Sequence, residues 1–172
     1  MAVIRRLFPH KLNPVMDART GADTFPDFAM HSKAEISRLI PHAGAMCLLD
    51  GVMRWDAAHI RCVSRSHRDK DNPLRAGDEL PALCGIEYAA QAMALHGGLA
   101  GMTGGKPRAG YLVSLRDVVC LQRRLDDLDG DLIVDAEQLM GDQGRVIYRF
   151  TLRVGAVEVL SGRATVVLDA AT

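Results

Sequence analysis

The sequence predicts an α+β domain on three observations. Two extended apolar runs are joined by a short polar turn, one long helical segment follows, and four strand-like runs then succeed one another almost to the C-terminus. In order, residues 1–31 carry Phe8, Phe25 and Phe28 and three prolines without helical or strand periodicity. They read as an N-terminal extension, loosely ordered or wrapped on the domain. Residues 32–172 read as a single domain. It opens with SKAEISRLI, where Ser32 and Glu35 have capping-box spacing for a short helix that a Pro-His-Ala-Gly loop at 41–44 ends. CLLDGVMRWD and HIRCVSRS form a hairpin around Asp56-Ala57-Ala58, and the polar stretch 67–79 is an irregular loop.

The long helix covers 83–101, with Pro81 ahead of it and glycines at its far end. Ile86, Ala90, Met93, Ala94 and Gly97 recur at spacings of three and four, so they predict the inward face. These side chains are mostly small, which calls for a sheet that curves closely around the helix. YLVSLRDVVCL, DLIVDAEQLM, RVIYRFTLRV and VEVLSGRATVVL are the four closing strands, with Gly155-Ala156 turning the last hairpin. No internal repeat or low-complexity tract interrupts this order.

Composition narrows the function classes. The 172 residues balance 21 Lys and Arg against 21 Asp and Glu. That leaves no basic surplus of the kind that nucleic-acid or anionic-membrane partners require. Cys47, Cys62, Cys84 and Cys120 lie 15, 22 and 36 residues apart, without metal-ligand spacing, and read as reduced core thiols of a cytoplasmic protein. Arg5-Arg6 are followed by no apolar run, so export is not expected, and no segment reads as a membrane span. GMTGGKP around Lys106 lacks phosphate-loop spacing. No metal or other cofactor is implied.

Two side chains carry candidate chemistry. Glu87 stands one turn into the helix on a face shared with Leu83, Ala90 and Ala94, an apolar address that would favour its protonated form if buried. The alternative is a first-turn glutamate in water that complements the helix dipole. Gln91, four residues on, can hold it by a hydrogen bond. His42 projects from the Pro-His-Ala-Gly loop. An isolated histidine is more often structural than catalytic. His59 and His67 read as strand or loop residues, and His96 as a packing residue near the helix C-terminus, where the dipole favours its cation.

IPHAGAMCLLDGV at 40–52 and PALCGIEYAAQAMALHGG at 81–98 together resemble the hot-dog-fold β-hydroxyacyl-ACP dehydratases, closest to the aryl-polyene-type subgroup. The likeness spans roughly 32–168 and implies a long central helix wrapped by a curved antiparallel sheet, with domains paired as dimers. It implies the elimination of water from a 3-hydroxyacyl thioester to give the trans-2-enoyl thioester. On this resemblance Glu87 matches the helix carboxylate that donates to the departing hydroxyl, and helix N-terminal amides around Leu83, Cys84 and Gly85 would bind the developing enolate oxygen, with Gln91 beside them. The GHFPG motif that carries the base in fatty-acid dehydratases is missing, and Pro73 stands at its position. His42 is therefore carried as the base, with His67 as a fallback. The implied partners are an acyl carrier protein or CoA thioester, contacted by Lys106, Arg108, Arg123 and Arg124, and either a second copy or another hot-dog protein. Two other functions fit the same fold: an acyl thioesterase in which Glu87 activates water, and a noncatalytic subunit completing a heterodimeric dehydratase.

Overall fold

The computed structural model describes residues 31–101, 110–142 and 144–168. The α+β expectation holds in element order and nearly in element ends. A two-residue strand β1 (His31–Ser32) leads into helix α1 (Lys33–Leu39), followed by β2 (Gly51–Trp55) and β3 (His59–Ser64). Helix α2 (Gly85–Leu99) precedes β4 (Gly110–Cys120), β5 (Leu132–Gly141), β6 (Arg145–Val154) and β7 (Val157–Leu168). All seven strands form one antiparallel sheet in the order β1-β2-β3-β5-β6-β7-β4. His31 pairs with Val52, so the sheet already includes a residue assigned to the extension. The rest of that extension lies outside the described residues.

Local chemistry accounts for the boundaries. The Ser32–Glu35 capping box is formed, with Ser32 N–H donating to Glu35 Oε2 at 2.8 Å. Asp56 Oδ1 accepts from the amides of Ala58 and His59 and closes the β2–β3 turn. Helix α2 lies against β3, β5 and β6. Its first residue, Gly85, is buried where a Cβ would come within 2.8 Å of Leu152 Cδ2 and 3.1 Å of Leu160 Cδ2. The helix start therefore lies so close to the sheet that a side chain at 85 would displace Leu152 and crowd Leu160.

The buried face of α2 is rotated from the expected one. Tyr88, Ala89, Ala92, Met93, Leu95, His96 and Gly97 are buried, whereas Ile86, Ala90 and Ala94 are only half-buried. Met93 and Gly97 are buried as expected and Ile86 and Ala94 pack against the core from its margin, whereas periodicity missed Tyr88 and His96, which are polar at their tips but satisfied inside. Tyr88 Oη meets Ser66 Oγ at 3.0 Å and accepts from Asn72 Nδ2 at 2.8 Å. His96 Nδ1 lies 2.8 Å from Tyr148 Oη and Nε2 3.0 Å from the Asp56 carbonyl. Burial drives the His96 imidazole toward its neutral form, against the expected dipole-stabilised cation. His67 is likewise buried, and desolvation pulls its pKa down. Cys47 and Cys62 are core thiols as expected, Cys84 is half-buried, and Cys120 is exposed on β4 and does not belong to the core. No helix among the described residues is long and apolar enough to cross a membrane.

Candidate active site

The Pro-His-Ala-Gly loop and the first turn of α2 meet at the half-buried face of the helix. Gly44 adopts φ +60°, a left-handed conformation that costs a residue with a Cβ about 1–2 kcal/mol. That turn starts a short 3-10 segment, Gly44–Met46, which returns the chain toward α2. There Gln91, fully buried, takes hold of it. Its Nε2 donates to the Met46 carbonyl at 2.8 Å, and its Oε1 accepts from the Leu48 amide at 2.9 Å. The same Nε2 donates to Glu87 Oε1 at 3.1 Å. One side chain thus ties the loop bearing His42 to the helix bearing Glu87.

The two candidates are brought together. His42 Nε2 lies 3.0 Å from Glu87 Oε1, with side-chain exposures of 29% and 32%. His42 Nδ1 is buried without a hydrogen-bond partner among the described residues. Glu87 is therefore neither sequestered in an apolar core nor fully in water. Its Oε1 is held by Gln91 and faces an imidazole, an arrangement in which acid and base can exchange a proton directly. His67, the fallback, is buried away from this pair, with Nε2 3.3 Å from the Leu128 carbonyl.

The remaining expected site residues divide. Leu83 is 56% exposed at the mouth of the helix. The Cys84 amide donates to the Pro81 carbonyl at 2.9 Å, and the Gly85 amide is engaged by the carbonyls of the preceding turn. Those two amides close the Ala82–Cys84 turn. Gly85 acts by its lack of a side chain.

This helix start is fixed by an ion cluster that the sequence did not reveal. Asp126, almost fully buried, pairs with Arg75 at 3.4 Å and with Arg124, and it accepts the Leu80 amide at 2.8 Å. Arg124 beside it holds the Asp126 carboxyl far below the usual carboxylate range. Arg123 donates to both oxygens of Glu79 at 3.0 Å. Of the four expected carrier contacts, Arg123 and Arg124 are thus engaged within the chain, and Lys106 and Arg108 lie outside the described residues. No group of His, Cys, Asp and Glu among the described residues is arranged to hold a metal ion.

The family model described as ApeP dehydratase matches residues 34–171. The chain belongs to the ApeP-like family. Among solved structures, the dehydratase heterocomplex ApeI:P from Xenorhabdus doucetiae is similar at TM-score 0.69 and 20% identity, over 78% of this chain and 91% of that one. Zebrafish thioesterase superfamily member 2 is similar at TM-score 0.55 and 14% identity, over 80% and 95%. A thioesterase from Haemophilus influenzae gives TM-score 0.52 and 12% identity, over 69% and 77%. No curated protein matches the sequence. At these identities the solved structures establish the fold, which is the hot-dog fold, and the ApeP-like chain joins dehydratases and thioesterases in it.

Proposed function

We propose that this ApeP-like chain is a cytoplasmic 3-hydroxyacyl-ACP dehydratase in which Glu87 and His42 form the acid–base pair. The observation that carries the reading is the 3.0 Å contact between His42 Nε2 and Glu87 Oε1, fixed through Gln91 on the half-open face of α2. A 3-hydroxyacyl thioester entering between them replaces that contact. His42 takes the C2 proton, the electron pair forms the C2–C3 double bond, and the C3–O bond breaks as Glu87 delivers a proton to the leaving hydroxyl. Water and the trans-2-enoyl thioester are the products. A neutral imidazole has a ring nitrogen free to accept the proton of the first task, and a carboxyl oriented by an amide donor suits the second. Four free cysteines fit a reducing compartment.

A second hot-dog domain belongs to this reading. β4 is the edge strand of the sheet beside β7, and it exposes Tyr111, Val113, Leu115 and Val119, with Leu83 and Leu121 exposed nearby. An apolar edge of that length calls for a covering strand. The partner is a second copy or, by analogy with the Xenorhabdus dehydratase heterocomplex, a different dehydratase subunit. Pro73 at the position of the missing GHFPG histidine favours one further reading, a subunit that serves an active partner without turning over itself.

One assay separates these. The purified chain is incubated with a 3-hydroxyacyl carrier-protein thioester, while enoyl absorbance and free thiol are followed together. Enoyl formation supports the dehydratase. Thiol release without enoyl identifies a thioesterase. Inertness relieved only by adding a second hot-dog protein, and insensitive to Glu87→Gln, identifies the noncatalytic subunit.

A further inference from the structure

Tyr88 follows Glu87 on α2, yet the two side chains leave the helix on different sides, Glu87 on the half-open face and Tyr88 wholly into the core. A phenol hydroxyl buried that deeply needs partners. It finds them at the end of β3 and in the loop beyond it. Asn72 Nδ2 donates to Tyr88 Oη and to the Ser66 carbonyl, both at 2.8 Å, and Ser66 Oγ lies 3.0 Å from Tyr88 Oη. Ser66 and Asn72 are themselves buried.

The direction of these bonds is fixed by the protons available. Ser64 Oγ and Ser66 Oγ both donate to the Leu48 carbonyl, at 2.6 and 2.8 Å, and each hydroxyl has a single proton. Ser66 therefore has none left for Tyr88, and the Tyr88 hydroxyl donates to Ser66. Beyond Leu48 the same sense continues. The Leu48 amide donates to Gln91 Oε1 at 2.9 Å, and Gln91 Nε2 donates to Glu87 Oε1 at 3.1 Å. The donors thus form a circuit that leaves α2 at residue 88 and returns to it at residue 87. Leu48 belongs to neither strand nor helix, so side chains hold its carbonyl and its amide. Both halves of the site are fixed at this residue. Two turns, Met46 N–H to the Ala43 carbonyl at 3.2 Å and Cys47 N–H to the Gly44 carbonyl at 3.1 Å, connect it back toward His42, and Gln91 connects it to Glu87.

We propose that Tyr88 is a positioning residue for the Glu87 and His42 pair, acting through Ser66 and the Leu48 peptide rather than on the reacting atoms. Its effect on turnover rests on the dehydratase reading; its effect on geometry does not. The hydroxyl is not needed to close the fold. In Tyr88→Phe the ring stays in the core and the Leu48 carbonyl keeps its bond from Ser64. What is lost is the proton that orients Ser66, and with it the aim of the Leu48 peptide at Gln91.

The test compares the full-length parent with Tyr88→Phe, Ser66→Ala and their double variant, and with Ile60→Val, a core truncation outside the circuit that also lowers the melting temperature. NMR follows the Gln91 side-chain amide and the His42 ring protons, while turnover of a 3-hydroxyacyl thioester gives kcat and KM. Both single variants are expected to move the Gln91 and His42 resonances and to lower kcat about tenfold with KM within about twofold of the parent. The double variant is expected to lose no more than Ser66→Ala alone, since Tyr88 acts through Ser66. Ile60→Val keeps the parent resonances and kcat. Unmoved Gln91 and His42 resonances in Tyr88→Phe overturn the proposal. So does a kcat loss that Ile60→Val reproduces, or single losses that multiply in the double variant. A parent that forms no enoyl product while its resonances still respond to Tyr88→Phe supports the positioning role and removes the dehydratase reading alone.

Discussion

Gln91 is the residue on which the candidate site depends. Two of its hydrogen bonds go to the loop backbone at Met46 and Leu48, and one goes to Glu87. Gln91→Leu removes all three in a buried place and leaves two backbone groups unpaired. It is expected to lower stability by about 2–4 kcal/mol, read by urea unfolding. Gln91→Glu keeps an acceptor for the Leu48 amide but sets a carboxylate against Glu87. Because that carboxylate also meets the Met46 carbonyl, stability and turnover are both expected to fall in that variant. Gly44→Ala probes the same loop from the other side: a side chain at φ +60° costs about 1–2 kcal/mol, seen as a lower Tm. The sequence displayed Glu87, Gln91 and His42, because helical spacing and a short loop fix them locally. It did not display the Gln91 bonds to Met46 and Leu48, which join positions more than forty residues apart and depend on how the loop returns.

At the scale of elements, α2 is held by packing at both ends. Gly85→Ala drives a methyl into Leu152 and Leu160, and the expected loss is about 1–3 kcal/mol in chemical denaturation, with the Glu87 turn displaced and turnover reduced. Strands β6 and β7 were readable to the residue because alternation and the Gly155 turn leave only one register. The inward face of α2 was not. Small residues at Ala90 and Ala94 mimic a packing stripe, while the true contact uses Tyr88 and His96, whose polar tips find partners on distant elements. Asp126 was equally hidden, since its partners Arg75 and Leu80 come from the loop before the helix.

For the whole molecule, the buried histidines set a pH response. His67 and His96 both have pKa values lowered by desolvation in the folded state, so the unfolded chain binds protons more readily than the folded one. Their contribution to stability is complete above the ordinary imidazole value of roughly 6.5 and declines as pH falls below it. Urea midpoints measured from pH 8 down to pH 5 are expected to decrease, and His96→Gln is expected to flatten part of that decrease. The exposed β4 edge makes a second statement at this scale: the isolated chain is expected to sediment as a dimer, or to bind a hot-dog partner.

The acid–base pair itself is tested most directly by quantifying enoyl product from a 3-hydroxyacyl thioester with the parent chain, Glu87→Gln and His42→Ala, each first shown to melt as the parent does. The account predicts enoyl formation by the parent and a loss of about a hundredfold or more in each variant. Parent-level turnover in either variant would contradict it.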